Sequence, residues 1–175
     1  MGTVRSVRTI ILLRHGKSSW SDPTLADLDR PLAPRGERAS GRIAKYIRQK
    51  KIRPALVLYS PSLRTRQTLE AIESSLGKRS VVELEPQLYA ASEGELLRRL
   101  QALPESVDSV MLIGHNPGLH DVAVVLASAG AELERLKAKF PTAALATLAL
   151  PNTTWSELSQ ADAVLAAYVV PKQLG

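Results

Sequence analysis

Three short apolar runs, almost free of polar positions, divide the first two thirds of the chain. They are Thr9 to Leu13, Ala55 to Tyr59 and Ser109 to Ile113. Runs that lack a polar and apolar alternation are typical of parallel strands buried on both faces of a sheet. Each run stops at a polar segment, so polar side chains follow the carboxyl end of every one of these predicted strands.

The remaining sequence predicts helices between these strands and further strands behind them. Helices are predicted over Pro34 to Lys50, Ser62 to Leu76, Glu93 to Leu103 and Pro117 to Ser128, strands over Val81 to Leu84, Ala143 to Leu150 and Ala163 to Val170, and a loop over Ser18 to Pro31. Ser62 is a typical N-cap and Gly77 a typical helix stop. The alanine content of the last two stretches leaves a helix open there. Alternating strands and helices predict one α/β domain over residues 1–175, with right-handed crossovers.

The polar segments behind the three strands carry histidine and arginine. Arg14-His15-Gly16 follows the first strand, a segment with Arg64 follows the second, and Gly114-His115-Asn116 follows the third. Open α/β sheets bind ligands at the carboxyl ends of their strands. The sequence therefore predicts one site that contains two histidines and two arginines.

These residue types favour phosphate chemistry. Arg14 and Arg64 supply planar forks that bind phosphoryl oxygens and stay charged. A neutral histidine can attack phosphorus, and His15 is the predicted nucleophile. Gly16 is expected to let phosphate approach the backbone, while His115 and the amide groups that open the next helix help to hold it. Taken alone, each of these residues also fits a structural role.

Other residues of these types are assigned elsewhere. Arg66 is predicted to be a surface residue in an ion pair, and His120 a core or surface histidine. A zinc site formed by His15, His115 and His120 is not favoured, because their spacing matches no helical zinc motif.

The chain resembles the histidine phosphatase superfamily, and within it the SixA-like phosphohistidine phosphatase branch. The matching blocks are Leu13-Arg14-His15-Gly16-Lys17-Ser18, Asp29-Arg30-Pro31-Leu32 with Arg35-Gly36, Ser60-Pro61 with Arg64 and Gln67-Thr68, Gly114-His115-Asn116-Pro117-Gly118, Lys139 to Ala146, and Trp155 to Lys172. The resemblance implies a three-layer phosphoglycerate-mutase-like fold, with helices on both faces of a mostly parallel sheet. It also implies a phosphohistidine at His15 and a phosphate pocket of Arg14, Arg64 and His115. Further substrate contacts are predicted from Gly16, Lys17, Ser18 and Asn116, with no metal and no cofactor.

Two departures from the family pattern bear on the substrate. The mutases and many phosphatases of the family carry an acid for the leaving group at about the level of Gln87 to Ala91, where this chain has none. Glu93 and Asp22 are the remaining candidates for a general acid. Gly114 follows Arg64 by only 50 positions, all of them needed for core elements, so no lid is expected.

An open site without a strong acid suits a large substrate with a good leaving group. The sequence therefore predicts a metal-independent phosphohydrolase for phosphohistidine on another protein. The alternatives are a phosphatase for a small metabolite or nucleotide, and a phosphate-binding or phosphoprotein-binding module without turnover.

The composition of the chain bears on its cellular location and its partners. The chain has 175 residues, 45% of them hydrophobic, and no cysteine, which excludes disulfides and thiolate chemistry. No signal peptide or membrane span is recognised, so a cytoplasmic protein without a membrane partner is expected. The net charge of +6 is concentrated between Arg35 and Arg53, as either a solvated helix face or a docking patch for an acidic partner. Nucleic acid is not favoured as a partner because aromatic residues make up only 4% of the chain.

Overall fold

The structure is a computed structural model, which describes residues 7–175. Its strands are β1 (Arg8–Arg14), β2 (Leu56–Tyr59), β3 (Val81–Leu84), β4 (Ser109–Gly114), β5 (Ala127–Ala129), β6 (Leu145–Leu150) and β7 (Ala163–Val169). Its α-helices are α1 (Pro34–Gln49), α2 (Leu63–Ile72), α3 (Glu93–Gln101), α4 (Gly118–Leu126) and α5 (Leu133–Ala138). Short 3₁₀ helices cover Asp27–Asp29, Glu73–Ser75, Pro86–Leu88 and Pro171–Gln173. Every helix in the described range is too short or too polar to cross a lipid bilayer.

The described strands form one mostly parallel sheet in the order β3-β2-β4-β1-β6-β7-β5. β1, β4, β2 and β3 run parallel to one another, and β5 runs parallel to β7. β6 is antiparallel to both β1 and β7. The predicted parallel arrangement of β1, β2 and β4 is thus confirmed: β4 lies between β1 and β2 in the sheet, and the three strands run in the same direction.

Alternate residues of the central strands face opposite layers of helices. Ile10 and Leu12 of β1 pack into one core with apolar residues of α3, α4 and α5. Ile11 and Leu13 of the same strand pack into a second core with apolar residues of α1 and α2. The sheet thus has helices on both faces, as strands that are buried on both faces require. The predicted three-layer α/β arrangement is confirmed.

The start of α1 packs directly against the segment that follows β1. A Cβ atom added to Gly36 would lie 2.2 Å from the carbonyl oxygen of Lys17, and one added to Gly16 would lie 2.8 Å from the carbonyl oxygen of Gly36. Side chains are therefore excluded at both positions. This close contact fixes the backbone that carries His15.

Several predicted boundaries differ from the structure. The helix predicted over Pro117 to Ser128 ends at Leu126, because Ala127–Ala129 pair with β7 as a strand. The helix predicted to Leu76 becomes a 3₁₀ turn after Ile72. Ser62 is the N-cap of α2, where its hydroxyl accepts a hydrogen bond from the Thr65 amide at 3.3 Å.

The final third forms strands, as predicted, and the alternative of a helix there is wrong. β6 and β7 pair along their length and extend the sheet beyond β1. Several short elements were not predicted, among them α5 and the 3₁₀ helix Asp27–Asp29 inside the predicted loop.

Candidate active site

The ends of β1, β4 and β2 bring the predicted site residues together. The His15 amide donates to the Gly114 carbonyl oxygen at 3.2 Å, and the Ser60 amide donates to the Ile113 carbonyl oxygen at 3.1 Å. These bonds continue the sheet by one residue beyond each strand. As a result, the ring centroids of His15 and His115 lie 5.1 Å apart.

The two histidines lie in a cavity of about 420 Å³ at this edge of the sheet. The predicted site residues that line it are Arg14, His15, Lys17, Ser18, Arg64, His115 and Asn116. Trp20, Asp27, Arg30 and Tyr89 line it as well. Cations and ring nitrogens dominate the lining, which therefore suits an anion.

The His15 ring is held in one tautomer, in which Nε2 is the unprotonated nitrogen. Nδ1 lies 2.7 Å from the Gly16 carbonyl oxygen, which can only accept, so Nδ1 carries the proton. Nε2 lies 3.4 Å from the Nε donor of Arg64 and carries the lone pair. Burial lowers the pKa of His15 to about 3, a shift that the Gly16 bond opposes and the nearby His115, Arg64 and Arg14 reinforce. The ring is neutral at physiological pH and ready to attack.

Arg64 joins both histidines to the 3₁₀ helix at Asp27. Its Nη1 donates to the Asp27 carbonyl oxygen at 2.7 Å, and its Nη2 donates to the Asp27 carboxylate at 3.0 Å and to His115 Nδ1 at 3.4 Å. The guanidinium is 7% exposed at the side chain and stays in this position because of the four contacts. An Arg64 fixed in this way presents its charge to a phosphoryl group on His15 without further rearrangement.

His115 is neutral as well, and its second nitrogen is tied to β2. Because Nδ1 accepts from Arg64, Nε2 carries the proton and donates to the Ser60 hydroxyl at 2.6 Å. Burial first, and then the Arg64 and Arg14 charges, lower the pKa of His115 to about 4, against the opposing effect of Asp27. In the ligand-free pocket a neutral His115 therefore orients Arg64 through Nδ1 and is itself oriented by Ser60.

Unpaired polar atoms concentrate around this pocket. Of the buried side-chain atoms without a hydrogen-bond partner among residues 7–175, three belong to pocket residues: Arg14 Nε, Arg30 Nη1 and Asn116 Oδ1. The other end of Arg14 donates to the Phe140 carbonyl oxygen at 3.1 Å, and Asn116 Nδ2 donates to the same oxygen at 2.8 Å. Buried polar groups are normally paired, so exceptions at one place point to a binding site.

The sequence reasoning missed a polar network centred on Asp27. Its carboxylate accepts hydrogen bonds from the Tyr89 hydroxyl at 2.6 Å, from Arg30 Nη2 at 2.5 Å and from Arg64 Nη2 at 3.0 Å. The Tyr89 bond, followed by the bonds to Arg30 and Arg64, holds the pKa of Asp27 well below its usual range, although partial burial opposes this. Asp27 is therefore ionised in the ligand-free pocket and has no proton to give.

Neither proposed general acid lies in the pocket. Asp22 binds the amide and the hydroxyl of its near neighbour Thr24, at 3.0 and 2.6 Å, in an exposed turn. Glu93 is the first residue of α3 and does not line the cavity. Tyr89, which carries a hydroxyl and not a carboxyl group, lines the cavity from the stretch Gln87 to Ala91, where the mutases and many phosphatases of the family have their acid.

Gly16 was expected to let phosphate approach the backbone, but it does not line the cavity. Its amide donates to the Thr68 hydroxyl at 3.0 Å, so the amide is already occupied. The missing side chain makes room for the carbonyl oxygen of Gly36 and the hydroxyl of Ser40, at 2.8 and 2.9 Å from an added Cβ. Gly16 is required for the packing of α1 against β1, and not for the approach of phosphate.

His120 and Arg66 do not line the pocket. His120 Nε2 lies 2.6 Å from the Leu136 carbonyl oxygen, and the ring stacks on Phe140 at 6.1 Å between centroids. Arg66 is exposed on α2, as predicted, but forms no ion pair with any residue from 7 to 175. The same part of the chain contains no group of three potential metal ligands.

Comparison with known proteins shows the family of this chain. Residues 10–109 match the model of the histidine phosphatase superfamily, branch 1. The chain belongs to this superfamily; it is a hydrolase with the phosphoglycerate-mutase-like fold.

Several individual relatives are proteins of the SixA type. A structure from Nakamurella multipartitia, assigned as a SixA phosphohistidine phosphatase, is similar with a TM-score of 0.82 and 28% identity, over 97% of this chain and 99% of the other. The phosphohistidine phosphatase SixA of Escherichia coli is 34% identical over 110 residues, which cover 62% of this chain and 67% of SixA. An uncharacterized protein of Mycobacterium tuberculosis is 33% identical over 164 residues, 91% of this chain and the full length of that protein.

The depressed pKa values make a direct prediction for the two active-site rings. We expect His15 and His115 to titrate near pH 3 and pH 4 in the ligand-free protein, because burial and neighbouring cations disfavour their charged forms. Both rings are then neutral throughout the range in which an ordinary histidine takes up its proton, near pH 6.5. NMR of the ring protons against pH measures this, and spectra of His15→Ala and His115→Ala assign the signals. A midpoint near 6.5 for His15 would contradict this description of the site.

Proposed function

We propose that this protein hydrolyses phosphohistidine on other proteins through a covalent phosphohistidine at His15. The observation that carries the proposal is the pairing of a neutral, oriented nucleophile with a pocket that has no protonated carboxyl group. His15 Nε2 faces Arg64, whereas Asp27, the carboxylate that lines the same pocket, is held in its ionised form. Such a site suits a leaving group that needs no strong acid.

The first step transfers the phosphoryl group between two imidazole rings. His15 Nε2 attacks phosphorus, a new N–P bond forms, and the N–P bond of the substrate breaks. Arg14 and Arg64 stabilise the charge on the phosphoryl oxygens. Positive charge that develops on the His15 ring is stabilised through Nδ1–H and the Gly16 carbonyl oxygen.

Proton balance explains why no carboxylic acid is required in this step. A phosphohistidine whose second ring nitrogen is protonated departs as neutral imidazole once the N–P bond breaks. An alkoxide from a sugar phosphate, in contrast, needs a proton from the enzyme. In the second step water attacks the phosphoryl group on His15, the N–P bond breaks, and inorganic phosphate and the neutral ring are regenerated.

The rim of the pocket favours a protein as the carrier of the substrate. Trp20 is 67% exposed at the pocket edge, with the Arg30 guanidinium 3.4 Å from its ring centroid. Leu25 and Leu28, in the segment that leads to and includes the 3₁₀ helix, are also exposed. Apolar side chains grouped on a surface are typical of protein contacts. The segment between Arg64 and Gly114 forms α2, β3 and α3, whose apolar residues join the two cores. This segment therefore forms core elements and not a lid, which leaves the pocket accessible to a large substrate.

The SixA-type relatives support the same substrate class. Both the Escherichia coli protein and the Nakamurella structure carry the name of a phosphohistidine phosphatase. The shared fold and the similarity across most of this chain make a related substrate the simplest proposal.

The missing acid predicts a strong dependence on the leaving group. A positioned general acid contributes about 10²- to 10⁴-fold in rate. We therefore expect alkyl phosphates to have kcat/KM values lower by about this factor than phosphohistidine peptides and aryl phosphates. Steady-state kinetics with one substrate of each type measures the difference.

Two carboxylate variants serve as controls for this panel. Glu93→Gln and Asp22→Asn are expected to leave all three rates unchanged, because neither side chain reaches the pocket. Equal wild-type rates on alkyl phosphate and phosphohistidine would overturn the leaving-group argument. One burst of phosphate transfer without turnover would instead indicate a binding module.

A further inference from the structure

A second cavity, larger than the catalytic pocket, lies beside it between α1, α5 and the C-terminal 3₁₀ helix. We call it the basic groove; its volume is about 630 Å³. Among residues 7–175 its lining contains no carboxylate and seven cationic side chains: Lys17, Arg35, Arg38, Arg42, Arg135, Lys139 and Lys172. A half-open cavity with charges of one sign indicates an anionic ligand.

Nearly all of these cations lack an acidic partner. Among the described residues, Arg135 pairs with Glu132 and lies over the Tyr168 ring, whereas the other six form no ion pair. Arg35, Arg38 and Arg42 follow each other at helical spacing on an exposed face of α1. Like charges at this spacing repel one another and destabilise a helix. An anion laid along this face would relieve that repulsion.

The groove adjoins the catalytic pocket. Lys17 and Thr142 line both cavities. A protein whose phosphohistidine lies at His15 therefore has the groove beside its bound residue.

The walls of the groove distinguish a polypeptide from other anions. Between the cations lie apolar surfaces from Ala39, Pro141 and Val170, which suit the aliphatic parts of a peptide. The aromatic side chain that lines the groove, Tyr168, is only 7% exposed and offers no surface on which bases could stack.

We infer that the basic groove binds an acidic segment that neighbours the phosphohistidine in the substrate protein. The inference rests on the proposed function and adds to it the charge of the sequence that the enzyme selects. Binding in the groove holds the substrate while His15 acts, so it lowers KM for acidic substrates and leaves the chemical step as it is.

Synthetic peptides test this directly. Each peptide carries one phosphohistidine and a flanking segment of six glutamates, six glutamines or six lysines, placed before or after it. The wild-type kcat/KM is expected to be about tenfold higher for a glutamate peptide than for its glutamine counterpart, a difference of about 1.4 kcal/mol that two exposed ion pairs within their usual range supply. The preference is expected to weaken as salt is added.

Charge-reversal variants test whether the preference for glutamate peptides comes from the basic groove. In Arg38→Glu/Arg42→Glu the preference for glutamate is expected to disappear and the lysine peptide to become the better substrate. Lys45→Glu/Arg66→Glu makes the same change in charge at exposed positions that line neither cavity, and is expected to keep the wild-type preference. Arg38→Gln/Arg42→Gln provides a milder variant, and hydrolysis of a small aryl phosphate reports in every case on the catalytic pocket itself.

The outcomes separate the groove from the proposed function. Equal rates on glutamate and glutamine peptides, or equal effects of the two charge reversals, would overturn the groove assignment and leave the proposed function standing. Hydrolysis of aryl phosphate without hydrolysis of any phosphohistidine peptide would overturn both. Competition by a short single-stranded oligonucleotide, but not by an unphosphorylated glutamate peptide, would also contradict an acidic polypeptide as the ligand.

Discussion

Replacement of His15 by alanine is expected to abolish turnover and phosphoenzyme formation together. The ring supplies the atom that bonds to phosphorus, and no neighbouring group can replace it, since His115 Nε2 is bound to Ser60. Removal of a covalent nucleophile lowers kcat by up to about 10⁶-fold. Steady-state kinetics with an aryl phosphate measures the loss, and circular dichroism verifies that the fold is retained.

His120→Ala is the matched control for this experiment. His120 contacts the Leu136 carbonyl oxygen and stacks on Phe140, away from the pocket. It is expected to change the rate little. The same modest loss in both variants would show that His15 is not the nucleophile.

Replacement of Arg64 by lysine is expected to be damaging even though the charge is kept. Arg64 uses its three nitrogens to contact His15, His115 and Asp27 at once, and a lysine ammonium cannot span these partners. Loss of a donor of this type costs roughly 2.7 to 4 kcal/mol of transition-state stabilisation. The ratio of the wild-type kcat/KM to that of the variant, measured with an aryl phosphate, gives this energy directly.

Arg66→Lys, two residues further along α2, is the comparison for this variant. Its side chain is exposed and does not line the pocket. We expect nearly wild-type kinetics. If Arg66 proved to be the sensitive position, the assignment of the phosphate-binding arginine on α2 would be reversed.

Much of the site could be predicted because it depends on strand ends. A buried parallel strand is recognisable as an apolar run, and its carboxyl end is marked by the first polar residues. Arg14, His15 and His115 each lie at or within one residue of such an end. Once three strands are parallel neighbours, these residues must converge.

The polar network around Asp27 could not be predicted in the same way. Asp27 and Tyr89 are 62 positions apart, and Asp27 lies in a segment without hydrophobic periodicity. Only the tertiary fold brings the 3₁₀ helix against Arg64. Two features of the sequence nevertheless pointed to these residues. Asp27 lies two positions before Asp29-Arg30-Pro31-Leu32, a block that resembles the family, and Tyr89 lies in the stretch Gln87 to Ala91, where the mutases and many phosphatases of the family carry their acid.

The basic helix illustrates a prediction that the sequence left open. Its charged face was compatible with simple solvation or with a partner. The fold brings Arg135 and Lys139, from the end of α5, and Lys172, near the C-terminus, into the same cavity as the arginines of α1. Neither segment is near α1 in the sequence.

The position of the phosphoryl group on the trapped phosphoenzyme tests the central claim most directly. The enzyme is mixed with an aryl phosphate, quenched in base, digested and mapped by mass spectrometry, and the ring nitrogen is assigned by ³¹P NMR. Phosphate is expected on Nε2 of His15, because Nδ1 is occupied by the Gly16 carbonyl oxygen. Phosphate on Nδ1, on another residue, or on none during turnover would contradict the mechanism.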